Sequence, residues 1–186
     1  MSNPIRQRRM QANYLKVPNE ATPQLLGVGA KTLNENPAAQ TKSRRYVCDS
    51  STTRSISGYD WSTAYEIDQI RSQKAIEYIV SIGENQLTGE DAETEYYIVD
   101  LDKPYTTGSG NEQVISTTVF HARKFNIAVE VASYTNDDGE MGCTGNFLAK
   151  GDPVEGYFNT STGVFSVEAS VTSETPAETP AVTEGN

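Results

Sequence analysis

The alternation of apolar and polar residues changes period several times along the chain, and each change marks an element. Trp61, Thr63, Tyr65 and Ile67 alternate with Ser62, Ala64, Glu66 and Asp68. A period of two places the first set on a buried strand face and the second, acidic set on the opposite face. The period then lengthens: Ala75, Ile76, Ile79, Val80 and Ile82 form an apolar stripe that predicts a helix over 72–83, capped by Ser72 and stopped at Gly83. Period two returns in "EYYIVDLD" and in "VISTTVFHARKFNIAVEVASYT", where Phe125, Ile127, Val129 and Val131 oppose Lys124, Asn126 and Glu130. "KPYTTGSGNEQ" reads as a polar loop, and "NDDG" at 136–139 as an Asx-Gly hairpin turn. "DPVEGYFN", the turn "TSTG" and "VFSVEA" form a closing hairpin, with Pro153 at a strand start where its missing N–H does no harm. The fold class is mainly β: an antiparallel β-sandwich or barrel with one packed α-helix and an extended N-terminal arm.

The two ends break the pattern. Residues 1–45 contain Pro4, Pro18, Pro23 and Pro37 with one short apolar piece, "NYLKV", and read as the arm. Residues 46–169 form the β domain. Residues 170–186 are an acidic Pro/Thr/Glu tail with no apolar period, expected to be ordered only by neighbours. At 186 residues, 36% of them apolar, the chain can bury one real core. No run of 18 apolar residues suits a membrane helix, and the basic N-terminus lacks the apolar stretch of a secretory signal. Synthesis in a cytoplasm is therefore expected, with Cys48 and Cys143 as two buried thiols rather than a disulfide.

Charge adds an asymmetry. The net charge is −10, yet residues 1–54 hold nine Lys and Arg against Glu20, Glu35 and Asp49, a balance of +6, which leaves −16 for the rest. Three readings fit: a basic nucleic-acid arm, complementary ends in a head-to-tail assembly, or a solvated acidic body with a basic tail. Candidate chemistry is thin. His121 is the single histidine, on a strand with Phe125 and Ile127, where a structural role is expected, and no nucleophile elbow accompanies it. "NDDGE" lacks the alternating ligands of a calcium loop, "GVGAKT" lacks the spacing of a phosphate loop, and the Asn159 sequon is of a kind that chance supplies. The acidic pairs Asp137/Asp138 and Glu90/Asp91 sit in turns. The chain reads as non-enzymatic, without catalytic, cofactor-binding or metal-binding residues.

Five stretches in order carry a family resemblance: "NYLKV…QLLGVGAKTLNENPAAQTKSRRYV", "GYDWSTAYEIDQIR", "GEDAETEYYIVDL", "FHARKFNIAVEV" and "GNFLAKGDPVEGYFN". Together, over residues 13–168, they resemble the tail tube (major tail) proteins of long-tailed bacteriophages. The resemblance implies a structural virion protein: homo-hexameric rings stacked into a hollow tube through which DNA passes, with loops and arms bridging successive rings. It implies tape measure, terminator and distal tail proteins as further partners, a place in the virion tail after assembly in the host cytoplasm, and a non-contractile tail. A wall of carboxylates would let DNA slide where a basic wall would hold it. Glu66 and Asp68, with Glu130 second, are accordingly the candidates for the lumen, and Tyr14, Leu15, Arg44 and Arg45 for the inter-subunit arms. Two rivals stand beside this reading. One is a β-sandwich module that binds surface carbohydrate through exposed Tyr residues and Trp61. The other is a nucleic-acid binder acting through "IRQRRM" and "KSRR", which the acidic body opposes.

Overall fold

The computed structural model describes residues 5–107 and 113–167. In chain order the strands are β1 (Gln11–Leu15), β2 (Gln24–Leu25), β3 (Ala30–Asn36), β4 (Ala39–Arg44), β5 (Thr53–Tyr59), β6 (Ser62–Asp68), β7 (Glu93–Thr107), β8 (Val114–Asp137), β9 (Glu140–Ala149), β10 (Val154–Asn159) and β11 (Val164–Ser166). Among the described residues a single α-helix, α1 (Lys74–Glu84), lies between β6 and β7. Nine strands form one antiparallel sheet in the order β2-β1-β7-β8-β9-β6-β3, with β10 beside the first half of β8, on the edge that β9 takes further along, and β11 on β10. The sheet curls into a half-barrel, so the protein is mainly β with one packed helix, as the periodicity predicts.

The curl closes around two cores, and the β7–β8 ladder serves both. On its concave face Tyr96, Ile98, Phe125, Ile127 and Val129 meet Trp61, Tyr65 and Ile67 of the β6 region and Phe147 of β9. Trp61 stacks on Phe125 at 4.0 Å between ring centroids, and Tyr96 and Tyr65 pack on Phe147 at 5.0 and 4.7 Å. The helix lays Ala75, Ile76, Ile79, Val80 and Ile82 over this core. On the convex face Tyr97, Val99 and Ala122 are sealed by Phe158 of β10, with Tyr14 and Phe165 against them. Each fully buried large side chain contributes roughly 1.5–3 kcal/mol of transfer free energy.

Several elements differ from the pattern reading. The helix begins at Lys74, and its N-cap is Gln73, with no side-chain cap bond from Ser72 or any other residue. Gly83 lies inside the helix. A Cβ there would sit 2.3 Å from the Tyr134 hydroxyl and 2.7 Å from Val131 Cγ1, so its small size admits β8, whose Tyr134 hydroxyl donates to the Val80 carbonyl (2.9 Å). The helix ends at Glu84, one residue after Gly83, and Gln86, two residues beyond it, has a φ of 51° in the left-handed region. The following Leu87 N–H then reaches back to the Ile82 carbonyl (2.9 Å), a Schellman closure. β7 and β8 also run further into "KPYTTGSGNEQ" than a loop would, to Thr107 and from Val114. The turn after β8 is as expected: Asp138 and Gly139 have φ of 49° and 88°, the pair of positive values that a two-residue hairpin turn demands.

The N-terminal region divides. β1 runs between β2 and β7 inside the sheet, and Leu15 is fully buried, so these residues are core rather than arm. β3 is likewise a sheet strand, paired with β6. What projects is the ribbon of β4 and β5, which pair only with each other. All residues of both strands are exposed. The cysteines part company too: Cys143 is buried on β9, whereas Cys48 is exposed in the ribbon loop, and both are free thiols.

Gly83→Ala separates a helix-ending glycine from one required by close approach. Propensity alone would make alanine about 1 kcal/mol more favourable in the helix. Contact with Val131 instead predicts a loss of about 1–3 kcal/mol from overpacking. A shift of the urea midpoint to higher concentration would show that the contact does not govern this position.

Candidate assembly surfaces

Direct cross-strand partners share a face, so the register fixes what the half-barrel presents outward. Ala64 lies opposite Asn146, which lies opposite Glu130; Glu66 lies opposite Thr144, and Asp68 opposite Gly142. The three lumen candidates, Glu66, Asp68 and Glu130, therefore share one solvent face, opposite the helix. Glu93 and Glu95 join it, opposite Ala128 and Asn126. Three lysines sit among these five carboxylates. Lys31, at a bulge in β3, lies 2.7 Å from Asp68 and 4.0 Å from Glu66, Lys124 pairs with Glu95, and Lys150 pairs with Glu93. Burial would raise the Glu95 pKa, but hydrogen bonds from Lys124 and the Tyr97 hydroxyl outweigh it and hold the carboxyl below its ordinary value. Glu130 accepts from Asn146 Nδ2 at 2.6 Å. The result is a polar, ion-paired sheet face with an excess of carboxylate over ammonium, and such exposed pairs contribute little to stability.

The second surface is the ribbon. Lys42, Arg44, Arg45 and Arg54 lie within 39–59 against the single acidic Asp49. Beside them Tyr46, Val47, Ile56 and Tyr59 are exposed large apolar or aromatic side chains. An isolated two-stranded hairpin is marginal in water, since neither face is covered. Strands of this composition are stable in the shape seen when a neighbouring surface takes one face. Arg44 and Arg45, two of the arm candidates, are at the ribbon's far end. The other two are elsewhere: Tyr14 packs on Phe158 at 4.6 Å, and Leu15 is in the core of its own subunit. Leu15 is thus unavailable to a neighbour.

The third feature was not legible in the sequence. Arg6 grips the middle of β7, its Nε and Nη2 each donating to Asp102 at 2.9 Å and Nη2 also reaching Asp100 at 2.5 Å. Asp100 is nearly buried and takes a further bond from Lys103 at 3.2 Å. Its burial favours the protonated form, yet the hydrogen bonds from Arg6 and Lys103 outweigh this and hold the carboxyl below its ordinary value. His121 Nδ1 stands 3.6 Å from the same carboxylate, and its ring meets Tyr157 edge-on. The histidine is thus half-buried at a structural knot, between strands, as its position on β8 suggested. The knot fastens the segment before β1 to the middle of β7.

Other sequence candidates are accounted for by structure. Trp61 is buried against Phe125, so the rival carbohydrate module loses its principal aromatic. Among the described residues no group of three or more His, Cys, Asp or Glu is placed to hold a metal ion, and no helix is long and apolar enough to cross a membrane. The reading of residues 170–186 lies outside the described residues.

Asp100 predicts an acid-sensitive latch. A carboxyl with a depressed folded-state pKa contributes stability above its unfolded value, near 3.8, and that contribution is lost as pH falls through the folded value. Wild-type stability should therefore decline below about pH 4, with amides of residues 6–10 deprotected first in hydrogen exchange. Asp100→Asn should expose those amides already at neutral pH and flatten the decline. Identical exchange in both proteins would rule the latch out.

No protein-family model matches the chain, and no curated protein matches it. Among solved structures, a chain of the cryo-EM structure of the anti-feeding prophage (AFP) baseplate, 6-fold symmetrised, aligns over 86% of this chain and 99% of that chain, at 7% sequence identity and a TM-score of 0.46.

Proposed function

We propose that the chain is a structural virion protein, the tail tube subunit of a long-tailed bacteriophage. In this reading six copies close into a ring, rings stack, and the bore conducts DNA. The observation that carries it is the β4–β5 ribbon, a projecting basic and apolar hairpin with no covering inside its own subunit. Such an element is costly for a monomer, which would expose Tyr46, Val47, Ile56 and Tyr59 permanently. It makes sense where a second copy covers it, and the acidic bulk of the chain is an electrostatic complement to its arginines. The family resemblance of the sequence points the same way. It adds tape measure, terminator and distal tail proteins as partners, and assembly in the host cytoplasm into the virion tail.

The outward face bearing Glu66, Asp68 and Glu130 is the proposed bore lining. Its lysines are each engaged by a carboxylate, which leaves little cationic charge to capture phosphate by counterion release. Lys124 belongs to this face but is neutralised by Glu95.

Negative-stain microscopy at rising concentration tests the reading. Rings of six-fold symmetry or tubes are expected for the full chain. Replacing residues 39–59 by a short Gly-Ser turn should abolish them while leaving the thermal transition of the subunit in place. A full chain that stays monomeric at every concentration, with or without a tail-initiating partner, would overturn it. The bore assignment has its own test: tubes built from a Glu66→Lys, Glu130→Lys variant should retain duplex DNA at low salt and release it as salt rises, whereas wild-type tubes should retain none.

A further inference from the structure

We propose that the open seam of the half-barrel is a docking groove for an extended acidic segment of a partner protein, which adds a strand to the free edge of β3. The groove lies apart from the ribbon, so the inference holds whether or not subunits stack. β3 pairs with β6, and no strand lies on its other edge among the described residues. A cleft of about 470 Å³ separates it from β1. Four consecutive residues of β3, Ala30 to Leu33, line one wall, and Gln11, Ala12 and Asn13 of β1 line the other. A sheet face would contribute alternate residues only, so both walls are strand edges. The β1 edge is already engaged: the Gln11 carbonyl accepts from Arg8 Nη1 at 2.7 Å, and the Asn13 carbonyl from the Leu26 N–H at 2.8 Å. β3 is the wall left to pair. An open strand edge is a template for one more strand, and its ladder groups select a polypeptide over other anions.

Charge identifies the occupant. The charged residues of the groove are Arg8, Arg9 and Lys31, and no carboxylate lines it. The carboxylates beside it are already paired: Asp68 lies 2.7 Å from Lys31, and Glu35 accepts from Gln11 Nε2 at 2.5 Å and from Arg123 at 3.1 Å. Lys31 is thereby neutralised, which leaves the two arginines. Arg8 is aimed before any partner arrives. Besides its bond to Gln11, its Nη2 donates to Asn13 Oδ1 at 2.5 Å, and Asn13 is itself buried and fixed through Nδ2 to the Tyr96 hydroxyl at 2.5 Å. A guanidinium carries five N–H donors, so most of those on Arg8 remain for a carboxylate. Arg9, exposed beside it, has no ion partner among the described residues. Ala12, Leu25 and Leu33 add apolar contact, Leu25 being half exposed. A strand presents alternate residues to opposite sides, so a segment alternating acidic and apolar residues meets both demands. The ribbon of a second copy is opposed as occupant by its own Lys42, Arg44, Arg45 and Arg54.

A blocked peptide alternating valine and glutamate over about eight residues, a usual strand length, is the probe, with a lysine-for-glutamate counterpart as control. Titrated into the full chain, the glutamate peptide should shift the amide resonances of Thr32 to Asn36 and slow their hydrogen exchange. Its affinity should fall as salt rises, and the lysine peptide should do neither. Arg9→Gln should weaken the glutamate peptide by about threefold to fivefold. Adding Arg8→Gln should bring the loss to about tenfold or more. Because Arg8 also holds Asn13, the Arg9 variant alone carries the test if the double variant folds poorly. Failure of the glutamate peptide to bind, equal binding of the two peptides, unchanged affinity in Arg9→Gln, or binding that leaves the β3 amides unmoved would each overturn the proposal. So would β3 protection in the peptide-free chain that disappears on dilution, because a second copy would then fill the groove.

Discussion

The structure depends on one constraint: the β7–β8 ladder has to be covered on both faces. Five consecutive residues of β7, Tyr96 to Asp100, are buried, which period two cannot supply from one side. Tyr96 and Ile98 face the helix-covered core, while Tyr97 and Val99 face Phe158. β8 meets the same demand by changing partners along its length. Its first half pairs with β10 and buries Ala122, and its second half pairs with β9 and buries Phe125, Ile127 and Val129. Over its 24 residues the ladder is irregular at two places, where Phe120–Ala122 of β8 meet Val99–Pro104 of β7 and at Val131–Ser133 against β9. Removal of either cover would leave aromatic surface on a central strand, which is a larger fault than the loss of any edge pair.

The placement of polar surface follows. With both faces of the ladder's centre used for packing, the free sheet face lies where β6, β8 and β9 turn away from the helix, and Glu66, Asp68 and Glu130 fall together there. The lysines interleaved with them keep carboxylates at this density from repelling one another across strands. Apolar surface, by contrast, is left on the ribbon and at hairpin ends, such as Val114 and Ile115. Leu148, opposite Ala128, is an exposed apolar side chain within the acidic face itself.

Long periodic segments were legible from the residues. β6, the helix stripe, the second half of β8, the Asp138-Gly139 turn and the closing hairpin each carry a local signal strong enough to fix the element. Three kinds of feature were not. β1 is five residues long, and nothing in "QANYL" distinguishes a central strand from a solvated arm; its place is set by β7, which lies more than 80 residues away. Gly83 gives the signal of a helix stop, yet its reason is the approach of Tyr134 and Val131 from β8. The Arg6–Asp100–Asp102 knot joins residues nearly 100 positions apart, each unremarkable alone. Of the assembly surfaces, the acidic alternation of β6 was readable because a period of two names the face. The ribbon's strands bury nothing and so leave no hydrophobic period to read.

A strand pair without a hydrophobic period is itself informative. Selection for folding alone would shorten such a hairpin or pack one face of it, because ordering each residue costs about 1–2 kcal/mol of backbone entropy. β4 and β5 recover little of that within the subunit, as all their residues remain exposed. Among the described residues nothing supplies the compensating contacts. The same entropy then becomes a control on association: a ribbon that loses freedom only on docking binds weakly one at a time and firmly when several dock at once. In the proposed ring the ribbons would be presented together and would have that multiplicity, which a free subunit lacks. Under that proposal, weak pairwise contact with strong collective contact would keep subunits dispersed until a template gathers them.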